Sequence, residues 1–334
     1  MKKRIAVRQL SCLLVALAVA PGLSQQQKLA QTGLKFLTVA TDARATAMGE
    51  ATATMTGSSA ALFFNPAGIA RLPTKVDIAL GRVEWIADIN YSYGSLAFNP
   101  GDGQYGVFGV SFLSVDYGEV YGTIRADNEA GFLDTGTFRP TALSVGLGYA
   151  KALTDKFSVG GNVRFVKQDL KTAIIGFGSD GSQITTANKV DVLAFDLGII
   201  YRTGFKSLDF GMNVRNFSEE IKYQDETFQL PLIFAIGLSM NAMDLLTDAH
   251  SPHDFVLAVE ATHPRDYPEQ VKLGGEYVFL NAFALRAGYL FPSDEHHFSV
   301  GAGFRKGNHL ALDYAYTPFG LFDQVHRFSV KFAY

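Results

Sequence analysis

Cysteine is nearly absent: the 334 residues hold one, Cys12. Residues 1–24 begin with Lys2, Lys3, Arg4 and Arg8, continue with an apolar run from Leu10 to Ala20, and break at Pro21-Gly22. This is the layout of a secretory signal peptide with a cut expected before Gln25, and about eleven apolar residues are too few to span a bilayer. Export would remove Cys12. A chain without cysteine has no disulfide, no Cys-ligated metal and no thiol nucleophile. Charge is scarce as well. Only 18% of residues are Asp, Glu, Lys or Arg, whereas a soluble enzyme has nearer a quarter. The 29 basic residues do not outnumber the 32 acidic ones, so there is no excess to neutralise phosphates and nucleic acid is excluded as a partner. Without the four leader cations the balance is 25 against 32, a net charge of −7. Long apolar runs are missing too. Past residue 24 the best stretch, Leu230 to Met243, is interrupted by Gly, Ser and Asn241, which excludes a transmembrane helix.

What is present is apolar and aromatic. The 48% hydrophobic content, with 27 Phe, 14 Tyr and 33 Gly, excludes a disordered chain. Mean hydropathy is nevertheless barely positive. A β-rich protein with one apolar face more than a core requires would reconcile the two.

From residue 76 onward the residues alternate with the period of two that marks strands with unlike faces. In the last segment Phe328, Val330, Phe332 and Tyr334 fall on one face, and Arg327, Ser329, Lys331 and Ala333 on the other. The same pattern predicts fourteen strands, near 76–82, 89–98, 105–115, 140–150, 157–167, 191–201, 206–215, 231–240, 254–262, 269–279, 282–290, 296–305, 309–317 and 325–334. Most run nine to eleven residues, the length a tilted strand needs to cross the hydrocarbon layer and long for a soluble sandwich. Alternate connections are long, including 116–139, 168–190 and 216–230, while those between are mostly tight. Long loops on one rim and short turns on the other belong to an outer-membrane barrel and have no reason in a sandwich. The polar face of Gly, Ser, Asn and single charges would line a lumen. The fold class expected is therefore all-β, a fourteen-stranded antiparallel transmembrane barrel over 76–334, in the outer membrane of a Gram-negative bacterium. Trp85, Tyr91, Tyr93, Tyr289, Tyr314, Tyr316 and Tyr334 are expected at the lipid–water interface or on the outer face.

Residues 25–75 break the alternation. They are rich in Ala, Thr and Ser, with short-helix character near Ala43 to Met48, and Asn65-Pro66-Ala67-Gly68 reads as a turn. A lumen this wide cannot be filled by strand side chains alone, so the segment is expected to fold back inside as a plug. The residues Ala43, Arg44, Ala47, Met48 and Gly49, with Asn65, Pro66, Ala67 and Gly68, resemble the N-terminal signature of the PorV/PorQ family, which belongs with the FadL-like barrels. The resemblance implies a plugged fourteen-stranded barrel and a part in type IX secretion, carrying or docking secreted cargo, with outer-membrane lipid, cargo and a translocon as partners. The wider FadL-like group implies an alternative, a channel for hydrophobic small molecules.

Other constellations carry less. Gly176, Gly178 and Gly181 form a GxGxxG string, but SQITTANKV follows where a dinucleotide fold needs a helix. The histidines at 250, 253, 263, 296, 297, 309 and 326 lack the companions of a metal set. No GxSxG occurs, and the pairs Asp225-Glu226 and Asp294-Glu295 read as solvated loop acids. Asp127, Glu129, Asp134, Glu219 and Glu220 lack the register of a calcium loop. No catalytic residue, metal or cofactor is expected. The two functional readings differ in what they require. Docking would use the rim of long loops, and a channel would need an apolar pocket beside Phe63, Phe64 and Ile69.

Overall fold

A computed structural model describes residues 32–224, 226–246, 253–293, 296–322 and 324–334. The expected signal peptide lies outside them, as do Asp225, His250, Asp294 and Glu295. Among the described residues fourteen antiparallel strands close into a barrel. They are β1 Val76–Glu84, β2 Asn90–Phe98, β3 Val107–Asp116, β4 Thr141–Ala152, β5 Phe157–Phe177, β6 Gln183–Arg202, β7 Asp209–Phe217, β8 Ile233–Asn241, β9 Asp254–Pro264, β10 Gln270–Phe279, β11 Phe283–Phe291, β12 Phe298–Lys306, β13 Leu310–Pro318 and β14 Gln324–Ala333. Each pairs with its neighbours in sequence, and β14 closes the ring on β1 with Phe332 opposite Ile78, Val330 opposite Leu80 and Phe328 opposite Arg82.

The alternation is resolved in the sense a membrane demands. Along β11, Phe283, Leu285, Tyr289 and Phe291 are 44% to 59% exposed, while Ala284, Arg286 and Leu290 between them are buried. Phe328 and Phe332 on β14 are likewise exposed beside buried Arg327 and Ser329. Large apolar side chains outside and charged ones inside reverse the order of a soluble protein and match a barrel in lipid. Tight turns join the strands at one rim; at Leu280-Asn281 both residues take left-handed φ (54° and 52°), the turn whose twist suits a hairpin.

At the other rim the structure departs from expectation. The loop expected over 168–190 is mostly strand, because β5 and β6 continue to Phe177 and from Gln183. Among the described residues no third strand pairs with them beyond Asp169, so they project as a two-stranded arm. With about ten residues needed to cross lipid and about 3.3 Å per residue, the arm reaches on the order of 30 Å past the barrel. A second hairpin, Val120–Arg125 with Phe132–Phe138, stands in the 116–139 connection. Among its described residues the 216–230 connection holds the short pair Ile221–Lys222 with Thr227–Phe228 and a bridge from Gln229 to Thr32.

Residues 34–72 are almost wholly buried. Helix α1 (Ala43–Ala47) starts at Asp42, whose carboxylate accepts from the Ala45 N–H at 2.8 Å. The Asn65 turn opens a short 3₁₀ stretch with Pro66 at its first position, and the Asn65 side chain accepts from the Ala67 N–H at 3.1 Å. Ala47 meets β12 at Gly301, while Pro66 and Ala67 meet β5 at Gly160. Those strands stand seven apart in a ring of fourteen. The segment therefore crosses the interior from wall to wall.

Candidate functional site

Two features of the interior could carry function: the attachment of residues 40–72 to the wall, and a cavity near the long-loop rim. The attachment uses inward charges that alternation placed on the polar face. Arg44 binds Glu276 of β10 through two hydrogen bonds, at 2.8 and 2.9 Å, and the same carboxylate takes Arg286 of β11 at 2.5 Å, whose other end reaches Asp313 at 2.6 Å. Bidentate pairing of this kind fixes orientation as well as distance. Glu260 of β9 accepts the N–H groups of Thr52 and Ala53 at 2.7 and 2.6 Å. Asp77 of β1 accepts the Ser59 N–H at 2.6 Å and pairs with Lys331 of β14 at 3.0 Å.

The residues of the N-terminal signature are all placed against this wall. Ala43 donates its N–H to Ser329 at 2.8 Å. Met48 is buried with Ala51 and Ala258. Gly49, at φ +63°, lies against the Gly288 backbone where neither glycine could carry a Cβ. Asn65 is fully buried and donates to the carbonyls of Ala53 and Ile199 at 2.6 and 3.1 Å. Gly68 faces the Met55 carbonyl with no room for a side chain. Glycine on the polar face, as at Gly288, thus serves close approach of two backbones.

Phe63, Phe64 and Ile69 do not line a pocket together. Phe63 packs edge-on against Tyr93 with ring centres 5.4 Å apart, Phe64 packs with Ala40 and Ala45, and Ile69 with Leu62 and Val107. Gly109 lets Ile69 come close to the wall. The cavity lies nearer the long-loop rim, between residues 34–39 and the upper ends of the strands, with a volume of about 710 Å³. One side is aromatic, with Trp85, Tyr91, Tyr117, Phe319 and Phe322; the other carries Arg215, Thr262, Gln270 and Lys272. These polar residues are neighbours by register, since Arg215 opposes Ile233, Ile233 opposes Pro264, and Thr262 opposes Gln270. Trp85, Tyr91 and Tyr93 therefore belong to the interior rather than to the lipid interface. Trp85 stacks edge-on on Phe319 at 4.8 Å, with the Arg327 guanidinium 5.2 Å from its ring centre, and Tyr91 and Tyr93 are buried. Tyr289 and Tyr334 are exposed, and Tyr314 and Tyr316 half-buried.

Residues 32–39 form one wall of the cavity and are tied to the rim loops. Thr32 and Lys35 both bind Asp266, and the Gly33 N–H donates to the Gln229 carbonyl at 3.1 Å. Deeper, Lys272 pairs with Glu50 at 3.0 Å. Burial pushes the Glu50 carboxyl up, but Lys272, His296 and Arg327 together outweigh it and hold the group at about 2. At the mouth, burial pushes the Tyr117 phenol up to about 12, and Gln168 bridges it to Tyr223 through hydrogen bonds of 2.8 and 2.6 Å.

The histidines are dispersed. His253 hydrogen-bonds Tyr277, His263 pairs with Glu269, His296 stacks on Phe319, His297 on Tyr289, His309 binds the Ala333 carbonyl and His326 binds Tyr314. Gly178 and Gly181 form the tip of the projecting arm, with no helix after them. Sequence reasoning passed over Arg215 and Lys272, since on the polar face one charge looks like another, and over Glu50 and Asp266, which lie outside the strands.

The model of the family described as type IX secretion system protein PorV matches residues 23–251. The chain belongs to the PorV family. The match runs from the N-terminal segment through β8 and takes in the arm. No curated protein matches the sequence. Among solved structures, this PorV-family barrel resembles the toluene transporter TbuX of Ralstonia pickettii (TM-score 0.60, 14% identity, covering 87% of this chain and 98% of that one) and the toluene transporter TodX of Pseudomonas putida (0.59, 14%, 92% and 98%). It also resembles a FadL homologue of Pseudomonas aeruginosa (0.53, 11%, 88% and 98%). At such identities the likeness is one of fold: the FadL-type barrel.

Proposed function

We propose that this PorV-family barrel sits in the outer membrane of a diderm bacterium, is closed by residues 25–75 as a plug, and acts without catalysis in type IX secretion as a docking or carrier protein for exported cargo. The family match carries the reading. The arm supports it, because a two-stranded ribbon that joins no barrel strand beyond Asp169 and is hydrogen-bonded to the rim, among the described residues, only where Gln224 donates to Thr186, Ala187 and Asn188 adds nothing to the ring of strands. Its tip exposes Ile175 and Phe177 on one strand and Ile184 on the other, and large apolar side chains left exposed beyond the barrel suit a protein contact. The many attachments of residues 40–72 favour a plug that stays in place. The test is affinity capture from outer membranes with the intact barrel and with residues 170–188 replaced by a two-residue turn. Secreted or translocon proteins should come down with the first and fall sharply with the second; capture of neither in both cases would overturn the reading.

A channel for hydrophobic small molecules is the second reading, favoured by the FadL-type fold and by the cavity. Its lining argues against an unsubstituted hydrocarbon, since Glu50, Lys272 and Arg215 form a polar wall that such a ligand would desolvate without compensation.

A further inference from the structure

Strands that separate a packed core from lipid need apolar residues on both faces. The upper halves of β1, β2 and β3 have them on one. Inward, Val83, Tyr91, Tyr93 and Leu113 are buried in an apolar cluster. Outward, Arg82 and Ser92 are exposed and Ser114 is half-buried, and the next outward positions are Glu84, Asn90 and Asp116. Pairing makes these one patch, since Ser92 opposes both Arg82 and Ser114, and Asn90 opposes both Glu84 and Asp116. The patch lies at membrane depth. Phe98 and Phe108, about half exposed, mark the lower aromatic girdle on β2 and β3, and Ser92 and Ser114 stand six residues above them. At about 3.3 Å per residue and a tilt of about 40°, that is about 15 Å, inside an apolar band about 25 Å tall. Elsewhere the wall stays apolar for longer: eight residues above Phe283, Phe291 is 59% exposed, and eight above Phe279, Val271 is 36% exposed.

Lipid tails offer these groups no partner, so the notch calls for a protein surface. Its charges say which. Among the described residues Arg82 makes one side-chain hydrogen bond, from Nη2 to the Asn90 amide oxygen at 3.0 Å, and pairs with no carboxylate. The Asp116 carboxylate accepts the Gly118 N–H at 3.0 Å and meets no cation. The two charges flank β2, the cation on β1 and the acid on β3. Two copies in one membrane share their orientation, so they meet about a two-fold axis along the membrane normal, with residues of like depth in contact. With β2 facing β2, β1 of each copy lies against β3 of the other. Arg82 then meets Asp116 twice, the small step in height being within reach of an arginine stem, and Ser92 lies near the axis. A patch of one sign would not close on itself in this way. We propose that the notch on β1–β3 is a self-association surface, where a second copy of the chain covers the polar patch in the plane of the membrane. The pairing rests on the membrane placement and is independent of cargo docking.

The test uses the exported barrel in phospholipid vesicles, with single cysteines and copper phenanthroline as oxidant. Ser92→Cys should form a disulfide-linked dimer, and Phe291→Cys, in the uninterrupted apolar belt of β11, should not. Reversing one charge in the Ser92→Cys chain, by Arg82→Glu or Asp116→Arg, should cut the yield at least about tenfold, and both reversals together should restore it. A merely structural arginine would not be rescued by the second reversal. Should the reversed chains lose heat-modifiable migration, Ser114→Phe, which only adds apolar surface to the outer wall, is read with Ser92→Cys and should likewise remove the dimer. Equal yields at Ser92→Cys and Phe291→Cys, or a yield that survives both single reversals and Ser114→Phe, would overturn the proposal. So would reversals that fold but are not rescued together, or cross-linking of Ser92→Cys in native outer membranes to a different protein and never to its own copy. A barrel that does not float with the vesicles overturns the membrane placement; one that floats without cross-linking overturns the pairing alone.

Discussion

The Asn65 carboxamide oxygen occupies the space that a Cβ on Gly198 would need. One residue belongs to the N-terminal segment and the other to β6, so the segment and the wall are matched at the level of single atoms. Gly198→Ala should force the Asn65 turn off the wall and cost about 1–3 kcal/mol, the usual range for overpacking. On a gel, the temperature at which the folded band converts to the unfolded one should drop. Gly161→Ala is the control, because a Cβ there makes only an ordinary contact with Leu197 and should leave that temperature unchanged. Equal behaviour of the two variants would refute the matched packing.

The fold was legible because lipid removes an ambiguity that soluble sheets keep. Every strand that crosses must show an unbroken apolar row, as Phe283, Leu285, Tyr289 and Phe291 do. The arm was illegible for the complementary reason. Residues 170–188 face no lipid, so LKTAIIGFGSDGSQITTAN shows no such row and reads as loop. Trp85 and Tyr91 were assigned to the interface because periodicity cannot say which face is inside when the inside is itself packed. Arg215, which donates to the Phe63 carbonyl, could not be told from Arg164 or Arg286, which meet acids, since the partner of an inward charge is set by the folded chain alone.

Glu276 bridges Arg44 and Arg286 in a site where Glu276 and Arg286 side chains are only 3% and 5% exposed. Glu276→Gln leaves both guanidinium groups short of charge, and breaking a buried pair from one side costs about 3–5 kcal/mol. The Arg305–Asp254 pair, 3.4 Å long with both side chains more than a third exposed, is the comparison; Arg305→Gln should change stability by less than about 1 kcal/mol. Urea titration of the two variants in detergent checks the contrast, and a small effect at Glu276 would mean that water reaches the network.

Acid should loosen the segment through Glu50. Its carboxyl is held at about 2, below its ordinary value near 4.5. A depressed value means that the charged form is favoured by folding, so the contribution is complete above pH 4.5 and disappears as pH falls toward 2. The shift corresponds to on the order of 3 kcal/mol. Wild type should therefore be more stable than Glu50→Gln at pH 7, and the two should converge by pH 2. A constant difference across that range would show that Glu50 is not the titrating group.

The arm separates folding from function. Ile174, Gly176 and Phe177 pair with Thr185, Ile184 and Gln183 inside the arm itself, and below it β5 pairs with β4 from Asp169 and β6 with β7 from Phe195 down to the turn rim. Removing 170–188 therefore deletes no hydrogen bond between barrel strands and costs the rim only the exposed contacts of Gln224 with Thr186, Ala187 and Asn188. The shortened protein should keep its heat-modifiable migration and its conversion temperature while losing cargo capture. A milder change should act the same way: Ile175→Ser with Phe177→Ser and Ile184→Ser removes apolar surface, with side chains 61%, 47% and 48% exposed, and no packing. Exposed apolar groups contribute little to the stability of the free protein, but each that becomes buried on docking is worth about 1.5–3 kcal/mol, so capture should fall by more than tenfold. Unchanged capture by a folded triple variant would move the docking surface off the arm and onto the Val120–Phe138 hairpin.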